Sequence, residues 1–307
     1  MSPLHTALES YLKMRRGFGF KLKTQGRYLL HFVDYMEQQN ATIITSSLAI
    51  DWVAKDAGSP TWPTRLGAVR NFARHVSITE PRTQIPPAGS FPLLRRPAPH
   101  IYSETELSSL LEAMLALPPT KGLRRWTYYC VIGLITVTGL RFGEALRLKR
   151  GDVDLNQGLL TIRETKFGKS RIVPVHPTTV VVLQDYAARR DCHRQRCRST
   201  HFFTGEHGGG LYQQNIHLVF CRVSRQIGLR SLEADKGPRI HDLRHSFAVA
   251  TLLRWYRTGE DVEQLLPALS TFLGHTHTRD TYWYLSACPE LMEHASRRLE
   301  ARWETLS

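Results

Sequence analysis

Long hydrophobic runs and cysteine are scarce in this sequence, and each scarcity excludes a class of protein. The longest apolar run, Tyr128–Val137, is too short to span a bilayer. The first residues, MSPLHTALESYLKMRR, lack the apolar core of a secretory signal. Five scattered cysteines among 307 residues argue against a disulfide framework. We therefore expect an intracellular, cytoplasmic protein that is not embedded in a membrane.

Acidic residues are also in the minority, at 27 against 41 lysines and arginines. The formal charge of +14 favours a polyanionic partner, such as nucleic acid or an anionic membrane. The length and a hydrophobic content of 42% are sufficient for two ordinary domains with real cores.

Residues 81–100, PRTQIPPAGSFPLLRRPAPH, contain six prolines, which forbid a long helix or a central strand. We predict a helical domain at residues 1–84, a linker at 85–100 that carries Arg95 and Arg96, and a second domain at 101–307. Amphipathic patterns upstream predict four helices, at Pro3–Arg16, Thr24–Gln39, Ser46–Lys55 and Thr64–Val76. Residues 1–99 hold 13 basic and 6 acidic residues, so this region is either a solvated helical bundle or a small helical clamp on DNA.

The second domain has a mixed pattern. Ser103 with Glu106 forms a capping box, WTYYCVIGLITV predicts a buried central helix, and LLTIRET and RIVPVH flank a hairpin turn. Six more helices are predicted, at Thr178–Arg189, Gln213–Ile227, His241–Arg257, Val262–Phe272, Thr278–Ala287 and Pro289–Trp303. The predicted fold class is mainly α with a small antiparallel β-sheet.

Polar residues interrupt this apolar scaffold at a few places. In TGLRFGEAL, Arg141 directly follows the buried helix, where it needs either an anion or an ion pair with Glu144. In HDLRH, His241 and Arg244 are three residues apart and share a helix face. His245, four residues after His241, also allows a zinc site, but the glutamate of HExxH and a third ligand are missing.

The hairpin turn TKFGKSR adds Lys166 and Lys169, which are either solvated or able to reach into a groove. The stretch LGHTHTRDTYWYL adds His275, Tyr282 and Tyr284. Two arginines, a lysine, two histidines and a tyrosine, without an acidic cluster for a metal, suit attack of an aryl alcohol on a phosphodiester.

These motifs, in the order TGLRFGEAL, TKFGKSRIVPV, HDLRH, LGH and a tyrosine on the following helix, resemble those of the tyrosine recombinase, or phage integrase, family. The amino-terminal part resembles the family's core-binding domain in size, charge and position alone. The resemblance implies a C-shaped clamp on double-stranded DNA with inverted half-sites and a 3′-phosphotyrosyl intermediate. It also implies a dimer on each site and a synaptic tetramer, with other recombinases of the same element as further partners, and no metal or other cofactor.

The same resemblance implies a role for each motif residue. Arg141 and Arg244 grip the phosphate oxygens and His275 hydrogen-bonds the phosphate. Lys166, preferred to Lys169 by its position in the turn, protonates the leaving oxygen, and His241 exchanges a proton with the tyrosine. The family's nucleophile lies nine residues after the histidine of LGH, which selects Tyr284. We expect Tyr282 to be a packed aromatic beside Trp283.

Two segments remain. In RRDCHRQRCRSTHFFTGEHGGG, from Arg189, a zinc site is conceivable on cysteines and histidines, but we favour a flexible basic loop that contacts DNA or another protomer. The candidate ligands are Cys192, His193, Cys197, His201 and His207. The tail after Tyr284 predicts a terminal helix that docks on a neighbouring protomer or packs in cis. The sequence DTYWYLSACPELM, which includes Tyr284, is reminiscent of mobile-element recombinases.

Two other functions share some of these residues. A type IB topoisomerase uses the same tyrosine, arginines, lysine and histidine but swivels DNA as a monomer. A DNA-binding protein that has lost catalysis is disfavoured, because all six catalytic positions are filled: Arg141, Lys166, His241, Arg244, His275 and Tyr284.

Overall fold

The computed structural model describes residues 2–55, 61–89, 98–163, 170–193, 199–233, 236–286 and 289–304. The chain divides into two compact units, residues 1–97 and 98–307. The division falls inside the predicted linker, of which residues 90–97, with Arg95 and Arg96, lie outside the described residues. No helix in the described ranges is both long and apolar enough to cross a membrane.

The first unit is a helical bundle with its own core. Its helices are α1 (Pro3–Gly17), α2 (Lys23–Gln38), α3 (Ser46–Ala54) and α4 (Trp62–Val76). Ser2 and Thr45 cap α1 and α3 through their hydroxyls, as is typical of these residue types. The apolar stripe of α2 faces the core, where Phe32 and Met36 are fully buried and Phe32 meets Trp52 edge-on at 5.3 Å.

The second unit is built around one buried helix. Its helices are α5 (Glu104–Leu115), α6 (Arg124–Thr138), α7 (Phe142–Arg147), α8 (Pro177–His193), α9 (Gln213–Gln226), α10 (Ile240–Arg257), α11 (Val262–Leu273), α12 (Arg279–Ser286) and α13 (Pro289–Glu304). The predicted capping box of Ser103 and Glu106 begins α5. Helix α6 packs on α5, α7, α8 and α10, which explains why its sequence is apolar on almost every side.

A small antiparallel sheet completes this unit. Strands β1 (Val153–Asp154), β2 (Leu159–Ile162) and β3 (Arg171–Pro174) lie in the order β1-β2-β3. Leu160 pairs with Val173, and both side chains are buried, whereas Ile172 is exposed. The sheet and the surrounding helices confirm the predicted fold class.

The last four helices share a separate core that contains Leu252, Leu269, Tyr284 and Leu291. Leu291 on α13 is fully buried there, whereas the adjacent Met292 is half exposed. The first turn of the terminal helix therefore packs in cis.

Candidate active site

The carboxyl end of α11 collects three arginines. Gly274 ends this helix in the left-handed conformation, with φ +70°, so the last carbonyls point out of the helix without partners in the next turn. Three successive carbonyls each accept one guanidinium bond of 2.8 Å: Phe272 O from Arg171 Nε, Leu273 O from Arg244 Nη2, and Gly274 O from Arg141 Nη2. The negative end of the helix dipole favours cations at this place. We call Arg141, Arg171 and Arg244, with Glu144, the α11 corner.

Arg244 is the most deeply buried of the three arginines, at 2% exposure. Its other terminal nitrogen donates to Gly139 O at 2.7 Å. Gly139 ends α6 with φ +60°, and a Cβ there would lie 2.6 Å from Phe247, so only glycine allows this approach. Burial lowers the pKa of Arg244 to about 10, so it stays charged at neutral pH, and the nearby phenol of Tyr284 favours the charged form.

Arg141 stands at the N-cap of α7, and Glu144 accepts from its backbone N–H at 3.1 Å and from its guanidinium at 2.9 Å. Burial alone would raise the pKa of the Glu144 carboxyl, but the bonds from Arg171 and Arg141 hold it at about 2. The ion pair considered for Arg141 is therefore present. The Arg141 side chain is still one-third exposed, so a ligand can also reach it.

Arg171 was not identified from the sequence, although it is central to this corner. It is the first residue of β3, its side chain is only 9% exposed, and it donates to both oxygens of Glu144 at 3.2 and 2.8 Å. In TKFGKSR, the resemblance assigns a role to Lys166 and none to Arg171. The available signal was an arginine at the start of an otherwise apolar strand, where burial requires a carboxylate.

Tyr284 on α12 is 3% exposed and lies beside the α11 corner. Its ring is nearly parallel to that of His275, with centroids 5.9 Å apart, and also meets the ring of His245 at 5.3 Å. Tyr282 points elsewhere and is 53% exposed, so the prediction that it packs beside Trp283 is wrong. Residues two apart on a helix point in nearly opposite directions, which explains the contrast.

His275 follows Gly274 directly, and its Nδ1 is 2.7 Å from the hydroxyl of the fully buried Thr281. This bond leaves Nε2 as the ring nitrogen for a ligand. Burial and the positive charges of Arg244 and Arg141 lower the pKa of His275 to about 4, so its ring is neutral at pH 7.

His241 and His245 lie one turn apart on α10, with their rings edge to face at 4.7 Å. Partial desolvation and the charge of Arg244 lower the pKa of His241, although part of this side chain is exposed. Burial and His241 lower the pKa of His245 to about 4. The buried Nδ1 of His245 has no hydrogen-bond partner within the described residues. In the ranges described, three possible metal donors converge only at His5, Asp34 and Glu37, so this pair has no third ligand.

Lys166 and Lys169 both lie outside the described residues. The structure thus brings together five of the six predicted site residues: Arg141, His241, Arg244, His275 and Tyr284.

The segment after Arg189, predicted as a flexible basic loop, is described in part, since residues 194–198 lie outside the described ranges. Helix α8 continues to His193, and Phe202 and Phe203 are buried in the core of the unit. The burial of Phe202 and Phe203 was not predicted, because arginines and glycines dominate the surrounding sequence. Of the zinc candidates, Cys192 is exposed and His193 faces Glu206 at 3.5 Å, whereas Cys197 lies outside the described residues.

The site thus combines three guanidinium groups, one carboxylate that is hydrogen-bonded to two of them, three histidines whose pKa values are lowered, and a buried phenol. The excess positive charge suits an anion. Burial is the largest cause of the lowered histidine pKa values, and neighbouring positive charges add to it. A phosphate at this place would meet charge-assisted donors and a potential oxygen nucleophile.

Comparisons with known proteins agree with this picture. A sequence model described as "Phage integrase family" matches residues 102–290. A protein of Sinorhizobium fredii (strain NBRC 101917 / NGR234), provisionally named integrase/recombinase y4rB, is 49% identical over 314 residues, covering 99% of each chain. The tyrosine recombinase XerD of Listeria innocua serovar 6a is 26% identical over 279 residues, covering 86% of each chain.

Solved structures show the same fold. The Tn1549 transposon integrase in complex with transposon right end DNA has a TM-score of 0.68 at 15% identity, covering 98% of this chain and 99% of that one. The XerH site-specific recombinase bound to difH substrate has a TM-score of 0.64 at 23% identity, covering 94% and 83%.

Proposed function

The chain belongs to the phage integrase family and is a tyrosine recombinase, and from this premise we propose how its residues cut and rejoin DNA. The phenolic oxygen of Tyr284 attacks the scissile phosphorus while His241 accepts the phenolic proton. The bond from phosphorus to the 5′-oxygen breaks, and Lys166 gives that oxygen a proton. The DNA is left with a 3′-phosphotyrosyl bond and a free 5′-hydroxyl.

Rejoining reverses these steps with a different strand. The 5′-hydroxyl of the partner strand attacks the phosphorus and gives its proton to Lys166, while the bond from phosphorus to the Tyr284 oxygen breaks and that oxygen recovers a proton from His241. No nucleotide cofactor is needed because the covalent bond conserves the free energy of each phosphodiester. No metal ion is needed because the arginines provide the positive charge that the reaction requires.

Arg141, Arg244 and His275 stabilise the non-bridging oxygens, where negative charge grows in the transition state. A phenol with an ordinary pKa near 10 is a poor nucleophile at neutral pH. The arginine-held phosphate and a neutral His241 compensate for this, since a histidine whose pKa is lowered is ready to accept a proton at pH 7. The role of Lys166 is based on the resemblance alone.

The strongest support for this proposal is that Tyr284 lies against His275, which follows the carboxyl end of α11, and beside Arg244, which donates to Leu273 O at that same end. A tyrosine of the same unit is thus next to the proposed phosphate-binding groups.

For the substrate we propose duplex DNA with inverted half-sites, bound by two protomers, with two such pairs forming a tetramer. Further recombinases of the same element are proposed partners. The excess of 14 positive charges supports a DNA ligand. Affinity for duplex DNA should fall linearly with salt on a double-logarithmic plot, because bound phosphates release counterions. A flat plot would contradict an interface made of many phosphate contacts.

A nicked suicide substrate tests the function directly. A half-site whose cleaved strand loses a short oligonucleotide should trap the protein on DNA, in a band that resists denaturing electrophoresis and disappears after protease treatment. The band should form in EDTA, and a divalent-metal requirement would contradict the proposed chemistry. Relaxation of supercoiled plasmid by a monomer, without strand exchange between two sites, would indicate the topoisomerase alternative instead.

A further inference from the structure

The side chain of Arg171 makes several contacts within the α11 corner that the strand pairing of β3 does not require. Its two terminal nitrogens bind the two oxygens of Glu144, and its Nε donates to Phe272 O. Its guanidinium also lies against Gly274, where an added Cβ would come within 2.5 Å of Nη1. A single buried side chain thereby joins β3, α7 and the end of α11.

These contacts coincide with those of Arg141. Arg141 has two side-chain partners, the Glu144 carboxylate at 2.9 Å and the Gly274 carbonyl at 2.8 Å. Arg171 holds the first partner by two hydrogen bonds and packs on the backbone of the second. Arg171 therefore contacts both side-chain partners of Arg141.

Arg171 itself has no comparable freedom. Its side chain is 9% exposed, against 33% for Arg141. The hydrogen bonds of its guanidinium in the structure all go to protein acceptors. Its backbone is held at the start of β3, where Arg171 pairs with Ile162 of β2. The more exposed arginine can reach a ligand, whereas the buried one supports it.

We propose that Arg171 is a positioning residue for Arg141: by holding Glu144 and the Gly274 turn, it aims the Arg141 guanidinium at the scissile phosphate. This inference rests on the proposed function, because it assigns Arg171 a part in that same reaction. A lysine cannot replace it, since one ammonium group cannot bind both Glu144 oxygens and the Phe272 carbonyl in the planar geometry of a guanidinium.

A double-mutant cycle tests the proposal. The rate of covalent adduct formation on the suicide substrate, at saturating protein, is measured for the wild type, Arg171→Ala, Arg141→Ala and the double variant. We expect Arg171→Ala to slow the reaction by roughly tenfold to a hundredfold, the scale of losing an oriented transition-state donor. In the Arg141→Ala background the same change should cost less than about threefold, because residues that act through one another are not additive.

Arg190 provides a matched control. It is also a buried arginine that donates to a carbonyl, Phe202 O, and pairs with a carboxylate, Asp191, but neither belongs to the α11 corner. Arg190→Ala should lower the melting temperature as Arg171→Ala does. Arg190→Ala should change the adduct rate of the folded protein only slightly, and by the same factor in the wild-type and Arg141→Ala backgrounds.

Arg171→Lys covers the case in which the alanine variant does not fold, and the same non-additivity with Arg141→Ala is expected. Equal fold-losses from the Arg171 change in both backgrounds, or an unchanged rate in folded Arg171→Lys, would overturn the proposal. If wild-type protein forms no adduct at all, the proposed function fails. If it does form one and the cycle is additive, only the role of Arg171 fails.

Discussion

The arginines of the α11 corner and those around Asp152 and Asp191 differ in how many carboxylates they share. In the corner, Arg141 and Arg171 share the single carboxylate of Glu144, and Arg244 donates to two backbone carbonyls instead. In the second region, Arg163 pairs with Asp152, while Arg150 and Arg190 pair with Asp191. Two of these three arginines are well exposed, at 40% for Arg150 and 61% for Arg163.

The difference supports the α11 corner, rather than the second region, as the proposed anion site. Exposed ion pairs are screened by water and contribute little to binding or stability. In the corner, backbone carbonyls hold the guanidinium groups in place without neutralising their charge. Burial, and after it the positive charge of Arg244, lowers the pKa of His241 and His275. A bound phosphate would relieve this repulsion.

The largest difference in the rate of adduct formation is expected between arginine variants of the two regions. Arg141→Ala or Arg244→Ala should slow adduct formation by roughly a hundredfold or more, since each removes a transition-state donor. Arg163→Ala should change it by less than about threefold, because this exposed arginine pairs with its own carboxylate. Single-turnover rates at saturating protein measure both. Equal losses in the two regions would invalidate the distinction.

Changing the carboxylates should give an intermediate effect. Glu144→Gln removes the charge that orients Arg141 and Arg171, so we expect roughly a tenfold slower cleavage, below the loss of a donor itself. Asp152→Asn is the control, since Asp152 serves the second region. Circular dichroism and adduct rates distinguish misfolding from misorientation. A cleavage rate in Glu144→Gln equal to that of Asp152→Asn would show that the shared carboxylate is unimportant.

The smallest expected effect is that of two histidines beside the α11 corner, His245 and His275, on the free energy of unfolding at acid pH. The folded pKa of His245 and of His275 is about 4, below the ordinary 6.5, so folding releases their protons. Their contribution to stability is complete above pH 6.5 and declines as the pH falls towards 4. Each can add up to about 1.4 kcal/mol per pH unit to the slope of the unfolding free energy.

Urea unfolding between pH 6.5 and 4.5 measures this slope. Glu144, whose pKa is lowered from 4.5 to about 2, adds to the slope at the acid end of this window, but equally in the wild type and in a histidine variant, so the difference between their slopes reports the histidine. His245→Phe keeps an aromatic ring against Trp283 and Tyr284 and should reduce the slope. A variant slope equal to that of the wild type would mean that His245 titrates normally.

Most helices could be predicted from the sequence because their apolar residues recur with the helical period. The prediction for α2, Thr24–Gln39, is within one residue of the observed Lys23–Gln38 at each end. The predicted hairpin strands are also present, as β2 and β3. Local patterns of this kind do not depend on the tertiary structure.

Contacts between distant segments could not be predicted in this way. Arg171 is buried because the end of α11, about a hundred residues later, supplies a carbonyl, and no local pattern encodes that meeting. Phe202 and Phe203 were likewise hidden in a polar segment. Tyr282 was expected to pack beside Trp283 because its spacing from His275 does not suit the nucleophile, but its side chain is exposed, as single apolar side chains on a protein surface often are.

The central claim, that Tyr284 is the nucleophile of the α11 corner, is tested most directly by comparing two tyrosine variants on the nicked suicide substrate. Tyr284→Phe should bind duplex DNA as the wild type does and form no protease-sensitive covalent band, because the attacking oxygen is absent. Tyr282→Phe should still form it, since that side chain is exposed and points away from the corner. A band that persists in Tyr284→Phe and disappears in Tyr282→Phe would contradict the account.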